Sequence, residues 1–213
     1  MITVEDNSVG FGFAEMAYIL QLQDTASAGR SAVWLRLTDE TANPELQRAG
    51  LSSLLARGMA TVTDGADVSF TQPVDVVAYT VARAERWTQL DLLQSRTLGD
   101  TVVQIESDRT QLLFQPRTMQ AWFVLPQDRG LSAEAAQSHI VRQHLGAHPS
   151  GGVRLRAEGP EGQLELVVRK GTDGWVCAPV DGDVVGPATE PLSDGGLLQW
   201  LQSFRSGLAL AND

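Results

Sequence analysis

The sequence predicts an α+β fold, a mainly antiparallel sheet with flanking helices behind an N-terminal helix-and-hairpin segment of winged-helix-like pattern. Three observations carry this. Helical stripes with good caps dominate up to about residue 84, and the apolar period then shifts to strand-like from Arg86. The breaks between the strands are too short for parallel crossovers, so sequential strands must pair antiparallel.

Along the chain, Phe13 to Gln23 spaces Phe13, Ala17 and Leu20 as a helix, with Met16 and Ile19 beside them. Thr25 to Ser31 reads as a small-residue loop, and Ala32 to Leu37 alternates as a short strand. Asn43-Pro44 starts the next helix, an Asn cap followed by proline at the first helical position. Leu46, Ala49, Gly50, Leu54 and Leu55 form its stripe and Gly58 ends it. A hairpin spans Met59 to Phe70 with a turn at Asp64-Gly65-Ala66-Asp67, and Gln72-Pro73 opens a helix with Val74, Val77, Ala78 and Val81 on one face.

Four strands follow as a meander: Trp87 to Leu93, Thr101 to Glu106, Gln111 to Gln115 and Thr118 to Val124, the last two separated at Pro116-Arg117. Ser132 begins a helix that runs to about Leu145 and closes at Gly146. Strands at Val153 to Ala157, Gln163 to Val168 and Gly174 to Ala178 precede a Gly/Pro/Asp loop, Pro179 to Pro191. Ser193-Asp194 caps a last helix with Leu197, Leu198, Leu201, Phe204 and Leu208 as its stripe, and the tail after Leu210 is expected to fray. The helical and hairpin part, 1–84, and the sheet part, 85–213, have no linker between them and are read as one compact domain.

Composition bounds the function. A chain of 213 residues buries roughly 70% of its unfolded surface and needs no staple. Cys177 is the lone cysteine, in an apolar strand, and reads as a small core residue. Met1 to Asp6 lacks the basic and apolar regions of a signal peptide, and no apolar run approaches a membrane span, so the protein is expected in the cytoplasm. Sixteen basic residues against twenty-six acidic ones leave a net charge of −10, which repels nucleic-acid backbones and anionic membranes. Only Lys170 is a lysine, a usage that points to a GC-rich bacterial genome.

No catalytic, cofactor-binding or metal-binding residue can be assigned from motifs. His139, His144 and His148 fall on different helix faces or straddle Gly146, and read as solvated residues suited to a helix C-terminus. Gly10-Phe11-Gly12, Gly151-Gly152 and Gly195-Gly196 lack the spacing and lysine of a phosphate loop. No Gly-x-Ser-x-Gly elbow and no paired carboxylates stand out. Trp34, Trp87, Trp122, Trp175 and Trp200 sit at strand or helix positions and read as core. The winged-helix pattern at 44–70 carries only Arg48 and Arg57 on its would-be recognition helix, while the hairpin carries acids. A transcriptional regulator and an α/β enzyme of unrecognised type therefore stand as alternatives to a non-enzymatic binding protein.

Leu54-Leu55-Ala56-Arg57-Gly58-Met59-Ala60, then Asp64-Gly65, Val68, Pro73 and a Val-rich helix, resembles the EspG family, cytosolic chaperones of mycobacterial ESX (type VII) secretion. The similar order continues through the meander, the helix opening at Leu131-Ser132, Trp175-Val176-Cys177-Ala178-Pro179 and the terminal Leu/Trp helix, over about residues 45–208. The resemblance implies an actinobacterial, cytosolic chaperone without catalytic activity or cofactor. Its implied partner is a helical secreted protein of the PE–PPE type.

Overall fold

A computed structural model describes residues 8–63, 67–95, 97–128 and 130–207. The N-terminal stretch Met1 to Asp6, the hairpin turn at Asp64-Gly65-Ala66, Leu208 of the last helical stripe and the tail beyond Leu210 lie outside these residues. In order, the chain forms β1 (Val9–Gly12), α1 (Phe13–Gln23), α2 (Ala26–Trp34), α3 (Thr38–Thr41), α4 (Pro44–Ala56), β2 (Ala60–Val62), β3 (Val68–Phe70) and α5 (Gln72–Ala82). There follow β4 (Ala84–Leu93), β5 (Gly99–Ser107), β6 (Gln111–Arg117), β7 (Ala121–Pro126), α6 (Ala133–Ala147), β8 (Gly152–Gly159), β9 (Gly162–Lys170), β10 (Trp175–Asp181), β11 (Val184–Val185) and α7 (Asp194–Arg205). The fold is α+β: a large antiparallel sheet of order β1-β7-β6-β5-β4-β8-β9-β10-β11, with β2-β3 as a separate hairpin.

Contacts divide the chain into two compact units, one within residues 1–87 and 103–127, the other within 88–102 and 128–213. In the first, Met16, Ile19 and Leu20 of α1, Leu54 of α4 and Val74, Val77 and Val81 of α5 share a core with Ile105, Leu112, Phe114 and Val124 of the strands. Asn43 caps α4 by accepting from the amides of Glu45 and Leu46, at 3.0 and 3.4 Å. Gly50 lets α4 cross α1 closely, since a Cβ there would stand 2.1 Å from the Ala14 carbonyl oxygen.

Most of the expected loop and strand over 25–37 is instead the helix α2, Ala26–Trp34, with a turn over 35–36. Thr25 caps α2 by accepting from the Ala28 amide at 3.0 Å. Buried Ala28, Ser31, Ala32 and Leu35 recur at three and four residues, a helical stripe hidden by the polar Ser31. The small residues have a packing reason. The hydroxyls of Thr25, Ser27 and Ser31 donate to the carbonyls of Ala82, Ala84 and Val81 at 3.1, 2.9 and 3.3 Å, and the Ser31 hydroxyl accepts from the Trp87 indole at 2.9 Å. Arg36, at φ 57°, then turns the chain sharply.

Two strands go beyond the expected set. Gly10-Phe11-Gly12 lies in β1, paired antiparallel to β7 with Phe11 opposite Trp122, and β11 forms a two-residue pairing with β10 inside the expected loop. Pro116-Arg117 belongs to β6 rather than to a break, and a 3₁₀ turn over Thr118–Gln120 delays β7 to Ala121.

In the second unit, β8, β9 and β10 pair in sequence, with Leu155 opposite Leu166 and Cys177 opposite Val168. Alternation buries Val153, Leu155, Leu164, Leu166, Val168 and Cys177 on one face. α6 packs on β8 and β9, α7 packs on β10, and the two helices contact each other. Arg154, Arg156, Glu165 and Val167 remain half-buried on the other face, where Arg154 pairs with Glu165 and Arg156 reaches Asp91 at 2.8 Å. Gly146 does not close α6. That glycine keeps helical backbone, and the helix continues through Ala147 with His148 as its cap.

Candidate functional site

Ser132 starts α6 by accepting from the Ala135 amide, which places His139, Arg142 and Gln143 at i, i+3 and i+4 on one exposed face. Lys170, the last residue of β9 and paired opposite Trp175, and Gly171 and Thr172 of the β9–β10 turn reach the same cleft. Gly174, at φ +152°, lets the turn approach the backbone of Leu192, whose carbonyl oxygen would lie 2.4 Å from a Cβ. Asp194, the first residue of α7, joins them to close a cleft of about 520 Å³. One Asp194 oxygen accepts from the Trp175 indole at 2.7 Å and the other pairs with Arg142 at 2.9 Å. The Lys170 ammonium stands 5.8 Å from the Trp175 ring centroid.

Two hollows are apolar. In the first unit, Val9 and Phe11 of the edge strand β1, Pro73, Val76 and Val77 of α5, and Val124 line about 350 Å³. In the second unit, Leu93, Val167, Val180 and Val185 line about 250 Å³ beside Arg154 and Asp183. Leu93 and Val185, which line it, are themselves exposed, and Leu98 and Val184, near them in the chain, are exposed large apolar side chains as well.

The two cations of the winged-helix pattern, Arg48 and Arg57, are both paired with carboxylates. Arg57 donates to Glu15 at 2.6 Å and to the Gly10 carbonyl at 2.9 Å. The Glu15 carboxylate is buried and also accepts from the Ser53 hydroxyl at 2.6 Å and the Gly12 amide at 2.9 Å. Arg48 pairs with Glu45 on the exposed surface at 3.3 Å.

His139 is exposed, but His144 is half-buried, and its Nε2–H donates to the Leu93 carbonyl at 3.0 Å, which fixes its tautomer. Burial pushes its pKa below the usual histidine range, a pull that this hydrogen bond partly offsets. The rings of His144 and His148 lie 5.1 Å apart. Among the described residues no three His, Cys, Asp or Glu side chains converge as a metal site. Burial raises the Cys177 thiol to about 12, so it is inert at neutral pH. Trp87, Trp122 and Trp175 are buried, whereas Trp34 and Trp200 are half-buried.

Sequence reasoning did not single out Arg142, Lys170 and Asp194 as a group. Lys170 as the sole lysine was the one available signal, since residues on α6, the end of β9 and α7 meet only in three dimensions. No helix among the described residues is long and apolar enough to cross a membrane.

No family model matches the chain, and no curated protein matches it. Among solved structures the fold is similar to the Mycobacterium tuberculosis type VII secretion system chaperone EspG5, solved in complex with a PE25–PPE41 dimer. The two share 11% sequence identity at a TM-score of 0.60, over 93% of this chain and 96% of that chain. The chain thus has an EspG-like fold.

Proposed function

We propose that this protein is a non-enzymatic cytosolic chaperone or adaptor that binds a helical secreted protein of the PE–PPE type handled by type VII secretion. The observation that carries this reading is the fold likeness to a chaperone over nearly the whole of both chains, rather than over one shared motif. The exposed apolar side chains Leu93, Leu98, Val184 and Val185 support it, since a partner helix needs apolar surface on which to bury its own stripe. A stable complex calls for an interface of about 1,200 Å² or more in total.

The test is co-expression with small helical secreted proteins encoded beside its gene. The expected result is a co-purifying, more soluble partner that is lost when Val185→Asp is combined with Leu98→Asp, and kept in His139→Ala. Both aspartate positions are exposed, so circular dichroism should show the double variant folded. If no neighbouring product co-purifies or gains solubility, the reading fails.

A further inference from the structure

We propose that the cleft between α6, the β9–β10 turn and the start of α7 is a binding site for a small organic anion, a phosphate ester or a polycarboxylate. The first ground is charge. The chain carries −10 overall, yet this cleft gathers Arg142 and Lys170 around one carboxylate, Asp194. That carboxylate is already engaged by the Arg142 guanidinium and the Trp175 indole, at 2.9 and 2.7 Å. The remaining Arg142 N–H groups and the whole Lys170 ammonium are left for a ligand. Among the described residues no carboxylate lies within ion-pair distance of Lys170, whose charge is held over the Trp175 ring instead.

The second ground is preorganisation. Asp194 is held by the Trp175 indole and pairs with the half-exposed Arg142, and the Lys170 ammonium stands over the same buried ring, so both cations start near the positions a ligand needs and binding costs less ordering than at unpaired surface cations. Asp194 sets both, directly through Arg142 and indirectly through the ring under Lys170. The volume of about 520 Å³ exceeds that of a bare ion and suits a ligand with a carbon body against the turn. Charge-assisted bonds from guanidinium and ammonium are the interactions that recognise phosphate and carboxylate oxygens.

The experiment titrates ¹⁵N-labelled protein with inorganic pyrophosphate and, separately, with citrate in buffered saline, following the five tryptophan indole resonances. The Trp175 N–H, bonded to Asp194, should shift saturably for at least one probe, with a Kd below about 1 mM. Saturation by pyrophosphate assigns the site to phosphate groups, and by citrate to carboxylates. Lys170→Ala should weaken binding about tenfold, since it removes one charge-assisted contact, and Lys170→Arg should restore most of it. Lys170 is exposed, so the amide spectrum of the alanine variant should remain that of the folded protein. Shifts that rise linearly for both probes, or an unchanged affinity in Lys170→Ala, would overturn the proposal.

Discussion

Glu15 shows how one side chain can hold three segments. Its buried carboxylate takes donors from Gly12 at the end of β1, from Ser53 in α4 and from Arg57, which also bonds Gly10. A buried carboxylate that loses its cation keeps its desolvation cost and forfeits most of the compensation. Arg57 is itself 43% exposed and two donors remain, so Arg57→Ala should cost about 2 kcal/mol, below the full penalty for a broken buried pair. Arg48→Ala breaks a pair exposed on both sides, at 78% and 86%, and should change stability by less than about 0.5 kcal/mol. Urea melts of the two variants check the contrast. Cys177 makes a second residue-scale prediction. With its thiol raised to about 12, a maleimide at pH 7.5 should leave the native protein unmodified and label it fully in denaturant, as mass spectrometry would show.

At the scale of elements, two helical glycines should respond in opposite ways to alanine. Gly50 sits where α4 crosses α1, and a Cβ would press on the backbone of Ala14, which cannot yield as a side-chain tip can. Gly50→Ala should destabilise the protein by about 3 kcal/mol or more. Gly146 lies within α6 with open space at its Cβ position, so Gly146→Ala should stabilise by about 0.5 kcal/mol through reduced backbone freedom in the unfolded chain. Thermal denaturation of both variants tests this. His144 ties α6 to β4 through the Leu93 carbonyl, and burial lowers its pKa. The unfolded chain therefore takes up its proton first. The contribution of His144 is present above about pH 6.5 and is lost as pH falls through its lower folded value. Melts from pH 7.5 to 5 should decline, and His144→Gln, which keeps a donor, should flatten that decline.

At the scale of the molecule, net charge predicts the absence of tight DNA binding. With −10 overall, and Arg57 committed to Glu15, α4 cannot supply the phosphate contacts that drive association. A mobility-shift assay in physiological salt should show no complex with duplex DNA at micromolar protein, and a salt-sensitive sub-micromolar shift would contradict it. The sheet was legible because the short breaks after Leu93 and around Ser107 leave only antiparallel pairing, and the caps at Asn43, Ser132 and Ser193 marked three helices correctly. α2 was not legible. Its buried stripe includes Ser31, whose hydroxyl is satisfied by Trp87 and Val81, partners distant in sequence. β1 was missed because four residues with two glycines form a strand only where β7 offers its edge. The cleft beside Trp175 was illegible for the same reason, since Arg142 and Asp194 meet only after folding.

The solitary Lys170, which ends β9 just before the β9–β10 turn, also makes the chain a one-cut substrate for a lysine-specific protease. That cut would sever β10 and α7 from the strands before them. Because Lys170 rests on the Trp175 ring and the neighbouring turn is closed by the Gly171 amide to the Gly174 carbonyl, at 2.8 Å, the bond must first peel away from its support to enter a protease cleft. The nicking rate in native buffer is thus a clock for the opening of this one turn. An anion seated beside Lys170 would slow that clock.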